Sequence, residues 1–299
     1  MGLAWLFELG SAGSVRVHWH GRPVVIKSVK ILEMELRHGC LQALALPGTS
    51  DKLAAVAALW AARETLATHA DARLAAQPDL PALPGRPPLP RLVDPSAVPQ
   101  RSPFTDEGRA ALLHAIAHIE FNAINLALDV AWRFAGMPAA FYRDWLRIAA
   151  EEALHFTLLR EHLLTLGFDY GDFDAHNALW DMAERTRNDL LARIALVPRT
   201  LEARGLDASP AVKRKLVGAG DLRAGEILDL ILRDEIGHVA AGNRWYRFVC
   251  GQRGLDPVAT YAELAARYQA PKLRAPFNLE ARRAAGFDEA ELAALQRAC

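Results

Sequence analysis

Two short stretches carry the residue types that hold metals. Residues 151–156 read EEALHF and residues 234–239 read DEIGHV, so an acidic residue, a Glu, two spacers and a His recur 83 positions apart. Glu152 with His155, and Glu235 with His238, stand three apart, and on a helix residues three apart share a face. Each pair can reach one cation. A carboxylate turned into an apolar core without a partner costs several kcal/mol or takes a proton. Several converging there require a compensating charge. Carboxylate and imidazole donors suit iron or manganese. Two Glu-x-x-His pairs, completed by one Glu from each of two further helices, are the dinuclear carboxylate site that four-helix bundles build in their cores.

The first completing Glu is Glu120. Leu113, Ile116, Glu120, Ile124, Ala127 and Ala131 fall at three- and four-residue steps, which puts the carboxylate in mid-stripe on an apolar face. The second comes from Glu184 or Glu202, too far apart along one helix for a single centre to use both. Glu120 precedes Glu152 by 32 residues and Glu202 precedes Glu235 by 33, against 51 for Glu184. The near-repeat selects Glu202, and Glu184 reads as a surface residue paired near Arg185 and Arg187. Glu151 and Asp234 read as outer groups or surface residues, and His114, His118 and His162 as structural histidines. The stripe His118, Asn122, Asn125, Asp129 reads either as a polar helix face or as a network orienting the site, the first being preferred. Trp132, Trp145, Trp180 and Trp245 read as core.

The elements that must position these residues are four long helices, expected over 106–134, 138–166, 175–204 and 221–250. Thr105 caps the first, Gly167 stops the second, and Gly205 stops the third, which Pro198 kinks. A short segment opened by SPAVKRKL precedes the fourth. The domain reading is an N-terminal extension over 1–49, a helix and proline-rich arm over 50–103, the bundle over 104–250 and a helical tail packed on it over 251–299. In the extension, SVRVHWHGRPVVIKSV alternates like a small hairpin. Residues 50–76 have helical periodicity with a cap at Ser50 or Asp51. Nine of the 17 prolines fall in 78–103, which makes that segment an extended arm whose Leu and Val pack along a surface.

Composition removes other classes. Lys plus Arg equals Asp plus Glu at 35 each, so no global charge calls for nucleic acid or an acidic membrane. Cys40, Cys250 and Cys299 form no CxxC pair and are odd in number, which reads as reduced thiols in a cytoplasmic protein. The opening MGLAWLFELG lacks a basic start and carries Glu8, so no signal peptide is expected. No stretch reads as a membrane span.

With these residues in place, the chain resembles the ferritin-like superfamily, and within it a bacterial family labelled domain of unknown function 455. The phrases that carry the resemblance are GRAALLHAIAHIEFNAINLALD, EEALHF, LEARGLD, ILRDEIGHV and APFNLEARRAAGF, in that order, over roughly residues 50–290. Residues 1–37 do not resemble the family's usual start. The resemblance implies an all-α, ferritin-like four-helix bundle with two iron ions, manganese being the alternative. Its ligands would be Glu120, Glu152, His155, Glu202, Glu235 and His238. A looser similarity to a tRNA-modifying hydroxylase and to ubiquinone-type hydroxylases suggests oxidative chemistry. The leading expectation is a dioxygen-dependent oxidoreductase acting on a small molecule or tRNA with an external reductase. It is expected to be a monomer or homodimer rather than a ferritin cage. A ferroxidase or iron-binding protein is the second expectation, and a metal-free helical interaction module the third.

Overall fold

The computed structural model describes residues 35–70 and 82–297, and the backbone of three strands before them. From residue 36 onward the described chain is helical. Apolar residues at three- and four-residue steps become three long helices, α3 (Asp106–Arg133), α4 (Ala139–Thr165) and α8 (Leu222–Arg253). The Thr105 hydroxyl accepts the Gly108 N–H at 3.1 Å, the cap that the sequence indicates. Gly167 follows α4 with φ at +85°, as a stop should.

The third expected helix is composite instead. It divides into α5 (Ala178–Arg185), α6 (Leu190–Leu196), a π turn over Val197–Glu202 and α7 (Ala203–Gly218). The break comes from short polar side chains. The Thr186 hydroxyl binds the Met182 carbonyl at 2.8 Å, and Asp189 caps α6 through the Ala192 N–H. Gly205 does not end a helix, because glycine stops one only in the left-handed region. That conformation falls to Gly220, so SPAVKRKL belongs to α7. Pro210 inside α7 cannot serve the Leu206 carbonyl, and Asn278 donates to it at 3.2 Å.

The chain divides into two compact units, Met1–Leu89 with Ala123–Leu154, and Pro90–Asn122 with His155–Cys299. Of the three divisions, the one at 122/123 falls within α3 and the one at 154/155 within α4.

In the first unit, strands β1 (Leu6–Leu9), β2 (Val15–Trp19) and β3 (Arg22–Ile26) form an antiparallel sheet in chain order. The expected hairpin is β2–β3, pairing Val15 with Ile26 and Trp19 with Arg22; its turn at 20–21 lies outside the described residues. Helices α1 (Leu36–Ala45) and α2 (Thr49–Ala62) follow. α2 starts near its expected cap but ends well before 76, and 71–76 lie outside the described residues. Buried Arg37 donates to the Trp132 carbonyl at 2.8 Å. Buried Lys52 donates to the carbonyls of Leu44 and Gly85 and to the Asn125 side chain. Burial, then the neighbouring Arg86, pushes its amine down to about 7.

In the second unit the arm from Pro90 onward holds one 3-10 turn, Pro95–Ala97, and pairs with 174–175: Val93 N–H donates to the Ala175 carbonyl at 2.8 Å. The tail forms α9 (Pro257–Arg267), α10 (Leu279–Ala284) and α11 (Glu289–Arg297), and Arg282 ties it to α7 through Asp207 at 2.6 Å. Among the described residues α3 is long and apolar enough to cross a membrane by length and composition alone, and most of its apolar stretch is buried inside the protein.

Candidate metal centre

Helices α3, α4 and α8 bring together Glu120, Glu152, His155 and Glu235. Each offers one ligand atom, and these atoms all lie within 4.8 Å of one another. None of the four residues is more than 7% exposed. Each long helix thus spends positions of its buried stripe on a carboxylate or an imidazole, as the apolar periodicity around those residues indicates.

His155 has a carboxylate at each ring nitrogen. Nδ1 lies 3.1 Å from Glu120 Oε2, and Nε2 lies 3.1 Å from Asp234 Oδ2. Burial opposes ionisation of Asp234, yet hydrogen bonds from His155 and Arg233 outweigh it and hold the carboxyl at about 2. Asp234 is therefore a working partner of the histidine. The sequence signal was the acidic residue preceding Glu in both motifs. Its counterpart Glu151 pairs with Arg147 at 2.6 Å on a half-buried surface.

His238 is fully buried, with Nδ1 3.7 Å from Glu235 Oε1 and its ring centroid 5.9 Å from that of His155. Glu202 is half-buried at the end of the π turn. Neither belongs to the four-donor cluster. The antiparallel register of α6–α7 against α8 fixes the level of Glu202. Lys213 pairs with Asp229 at 2.6 Å, a Cβ on Gly225 would meet Val217, and one on Gly242 would meet Pro198 Cβ at 2.8 Å. A step back along α7 thus matches a step forward along α8, which carries Glu202 to the level of His238 and Val239. Ala203, its neighbour, shares a core cluster with Val239. Glu184 pairs with Arg187 at 3.5 Å on α5, and the break at 186–189 removes the straight helix along which its distance to Glu202 was reckoned.

The other singled-out residues hold the fold. His118 Nδ1 meets the Tyr170 hydroxyl at 2.9 Å and Nε2 the His176 carbonyl at 3.0 Å. His162 pairs with Asp221 at 2.8 Å, and His114 Nε2 accepts the Gly171 N–H at 3.0 Å. Asp129 takes Arg133 and the Trp132 indole N–H. The stripe from His118 to Asp129 is a polar helix face that is buried in all four residues, and the bonds of Asn125 to Lys52 and of Asp129 to Arg133 are structural. The four tryptophans are buried as core.

Fold and site together define a helical protein with a buried carboxylate–histidine cluster that can hold a metal ion. The chain belongs to the family described as Protein of unknown function (DUF455), which matches residues 46–293. It is similar to a Haemophilus influenzae protein described as "Uncharacterized protein", 54% identical over 213 residues that make up 69% of this chain and 74% of that one. No solved structure matches.

Proposed function

We propose that this protein is a di-iron carboxylate oxidoreductase of ferritin-like four-helix architecture, catalysing dioxygen-dependent hydroxylation or oxidation of an organic substrate. Manganese, alone or with iron, is the alternative metal content. The observation that carries this reading is the buried convergence of three carboxylates and an imidazole within 4.8 Å. Like charges so close repel strongly unless a cation or protons lie among them. The donor set, oxygen and imidazole nitrogen without thiolate, is that of iron or manganese.

Glu120, Glu152, His155, Glu202, Glu235 and His238 would hold two metals. Glu120, Glu152, His155 and Glu235 form the tight cluster, and Glu202 and His238 would add donors beside it. Asp234, accepting at His155 Nε2, leaves Nδ1 for the side where Glu120 lies and fixes the ring. When bound, two iron ions supply electrons to dioxygen. The chain's part is to hold the donors, exclude bulk water and orient the substrate, a small organic molecule or a tRNA base. An external reductase would return the electrons. The protein is proposed to work in the cytoplasm as a monomer or homodimer, its buried thiols Cys40 and Cys250 reduced.

Metal analysis of protein purified without chelator should give about two ions per chain. Glu152→Ala and His238→Ala should each lose one or both ions with helical circular dichroism intact. Wild-type affinity in both variants would refute the ligand assignment. Anaerobic Fe(II)-loaded protein should consume oxygen on mixing; Fe(II) that stays unoxidised for hours in air would sink the oxidase reading. Oxidised iron accumulating inside a large hollow oligomer would mark storage instead.

A further inference from the structure

Within the second unit the backbone over Val197–Glu202 winds as a π turn. Its Ala203 N–H reaches back five residues to the Pro198 carbonyl, and Pro198 itself has no N–H to give. Such a turn inserts a residue into the helical register, so every side chain beyond it is rotated relative to an unbroken α-helix. Glu202 is the residue at which the turn ends.

The turn rests on the ligand-bearing face of α8. Gly242 stands four residues beyond His238 and seven beyond Glu235, on the same face, and Pro198 is packed directly against it. One residue on, Arg199 is buried and bound on several sides. It donates Nε–H to Asn243 Oδ1, and Nη2–H to Glu291 Oε1 at 2.6 Å. Its guanidinium lies over the rings of Tyr246, Tyr261 and Phe287, at 4.2, 5.4 and 5.1 Å from their centroids. Asn243 in turn donates to the Ala285 carbonyl at 2.7 Å, and Glu291 also takes Arg247. Thr200, within the turn, donates to the Ala195 carbonyl at 2.8 Å and meets the Tyr261 hydroxyl at 3.0 Å. Three of the groups around Arg199 and Asn243, namely Ala285, Phe287 and Glu291, come from the C-terminal segment. A buried cation with that many partners is a positional constraint more than a source of stability.

We propose that Arg199 is a positioning residue, clamped by Asn243 and by the C-terminal segment through Glu291, that fixes the π turn and with it the direction of Glu202 toward the Glu235–His238 pair. This rests on the reading of Glu202 as a ligand of the second metal. Docking of residues 279–297 and occupancy of that metal are then coupled, and the coupling is reciprocal: metal tightens the segment by the factor by which the segment tightens metal.

The test uses the full chain and Mn(II) or Co(II) as the probe. Wild-type protein should bind two ions. Glu291→Gln, which removes the charge but keeps an acceptor, should bind the first ion unchanged and the second about tenfold more weakly, within the range of such couplings. The reciprocal arm needs no clamp variant. Amide hydrogen exchange over residues 279–297 should slow on metal addition to wild type and not in Glu202→Gln, whereas a merely structural clamp would leave it indifferent to metal. Two ions of wild-type affinity in Glu291→Gln, or exchange in 279–297 unmoved by saturating metal in wild type, overturns the proposal. Wild-type protein that binds no metal overturns the di-metal reading itself and this inference with it. If Glu291→Gln does not fold, the exchange measurement decides alone.

Discussion

His114 is a buried histidine whose Nε2 accepts the Gly171 N–H, with its ring stacked 5.3 Å from that of Tyr170. Burial, against smaller opposing effects of Asp172 and Asp169, pushes its pKa down from 6.5 to about 4. Protonation would also take away the lone pair that Gly171 uses. Since the folded value lies below the unfolded one, the contribution is whole above about pH 6.5 and is lost as pH falls toward 4. The loss runs at about 1.4 kcal/mol per pH unit. Urea unfolding between pH 7 and pH 4.5 should show wild type losing more stability than His114→Gln, which keeps an acceptor without the titration. Parallel pH profiles would refute it. At the same scale, Asp234 shows how a residue beside a candidate ligand gains a role: its neighbour in sequence is Glu235, but its partner is His155, 79 positions earlier.

Among the elements, the contact between α8 and the π turn is the one that glycine makes possible. A Cβ on Gly242 would stand 2.8 Å from Pro198 Cβ and 3.1 Å from its Cγ, and a proline ring cannot swing aside. Gly242→Ala should cost about 1–3 kcal/mol, the range for overpacked cores, seen as a lower urea midpoint at unchanged slope. On the proposed two-metal reading it should also move the π turn and weaken binding of a second ion, whereas Gly251→Ala, on the same helix with open space around its Cβ, should do neither. The α5–α6 break and the capped start of α6 have the same origin as the π turn. Short polar side chains take over hydrogen bonds that an unbroken helix would keep for its backbone, and at the π turn Pro198 removes a donor.

For the whole molecule, metal that binds the folded chain and not the unfolded one stabilises it by mass action, about 2.7 kcal/mol at a free concentration one hundred times Kd. Thermal unfolding should therefore shift upward with Mn(II) and return with chelator. Glu152→Ala should abolish the shift. In the metal-free state the same variant should equal or exceed wild type in stability, because it removes one of three crowded carboxylates. A metal-independent melting temperature in wild type would count against a built site.

What the sequence determined by itself was local and periodic. Residue types three and four apart set the faces of α3, α4 and α8 within a few residues of their ends, and the Thr105 cap and the Gly167 stop followed from side-chain chemistry alone. Glu120, Glu152, His155 and Glu235 were legible because a carboxylate in an apolar stripe is anomalous wherever the stripe folds. Family membership followed from the same phrases. Contacts between distant segments decided the rest. Gly205 could not be told from a stop, since glycine permits the left-handed conformation without requiring it, and packing against α8 kept α7 going to Gly218. For Asn125 and Asp129, a polar helix face could not be told from a network orienting the site until Lys52 and Arg133 were found beside them. The level of Glu202 depends on how a composite helix lies along α8, where Pro198 packs on Gly242 and Arg199 reaches Glu291, 92 positions further along the sequence. No local pattern encodes such a register, because it is an energy balance among groups that meet only once the chain has folded.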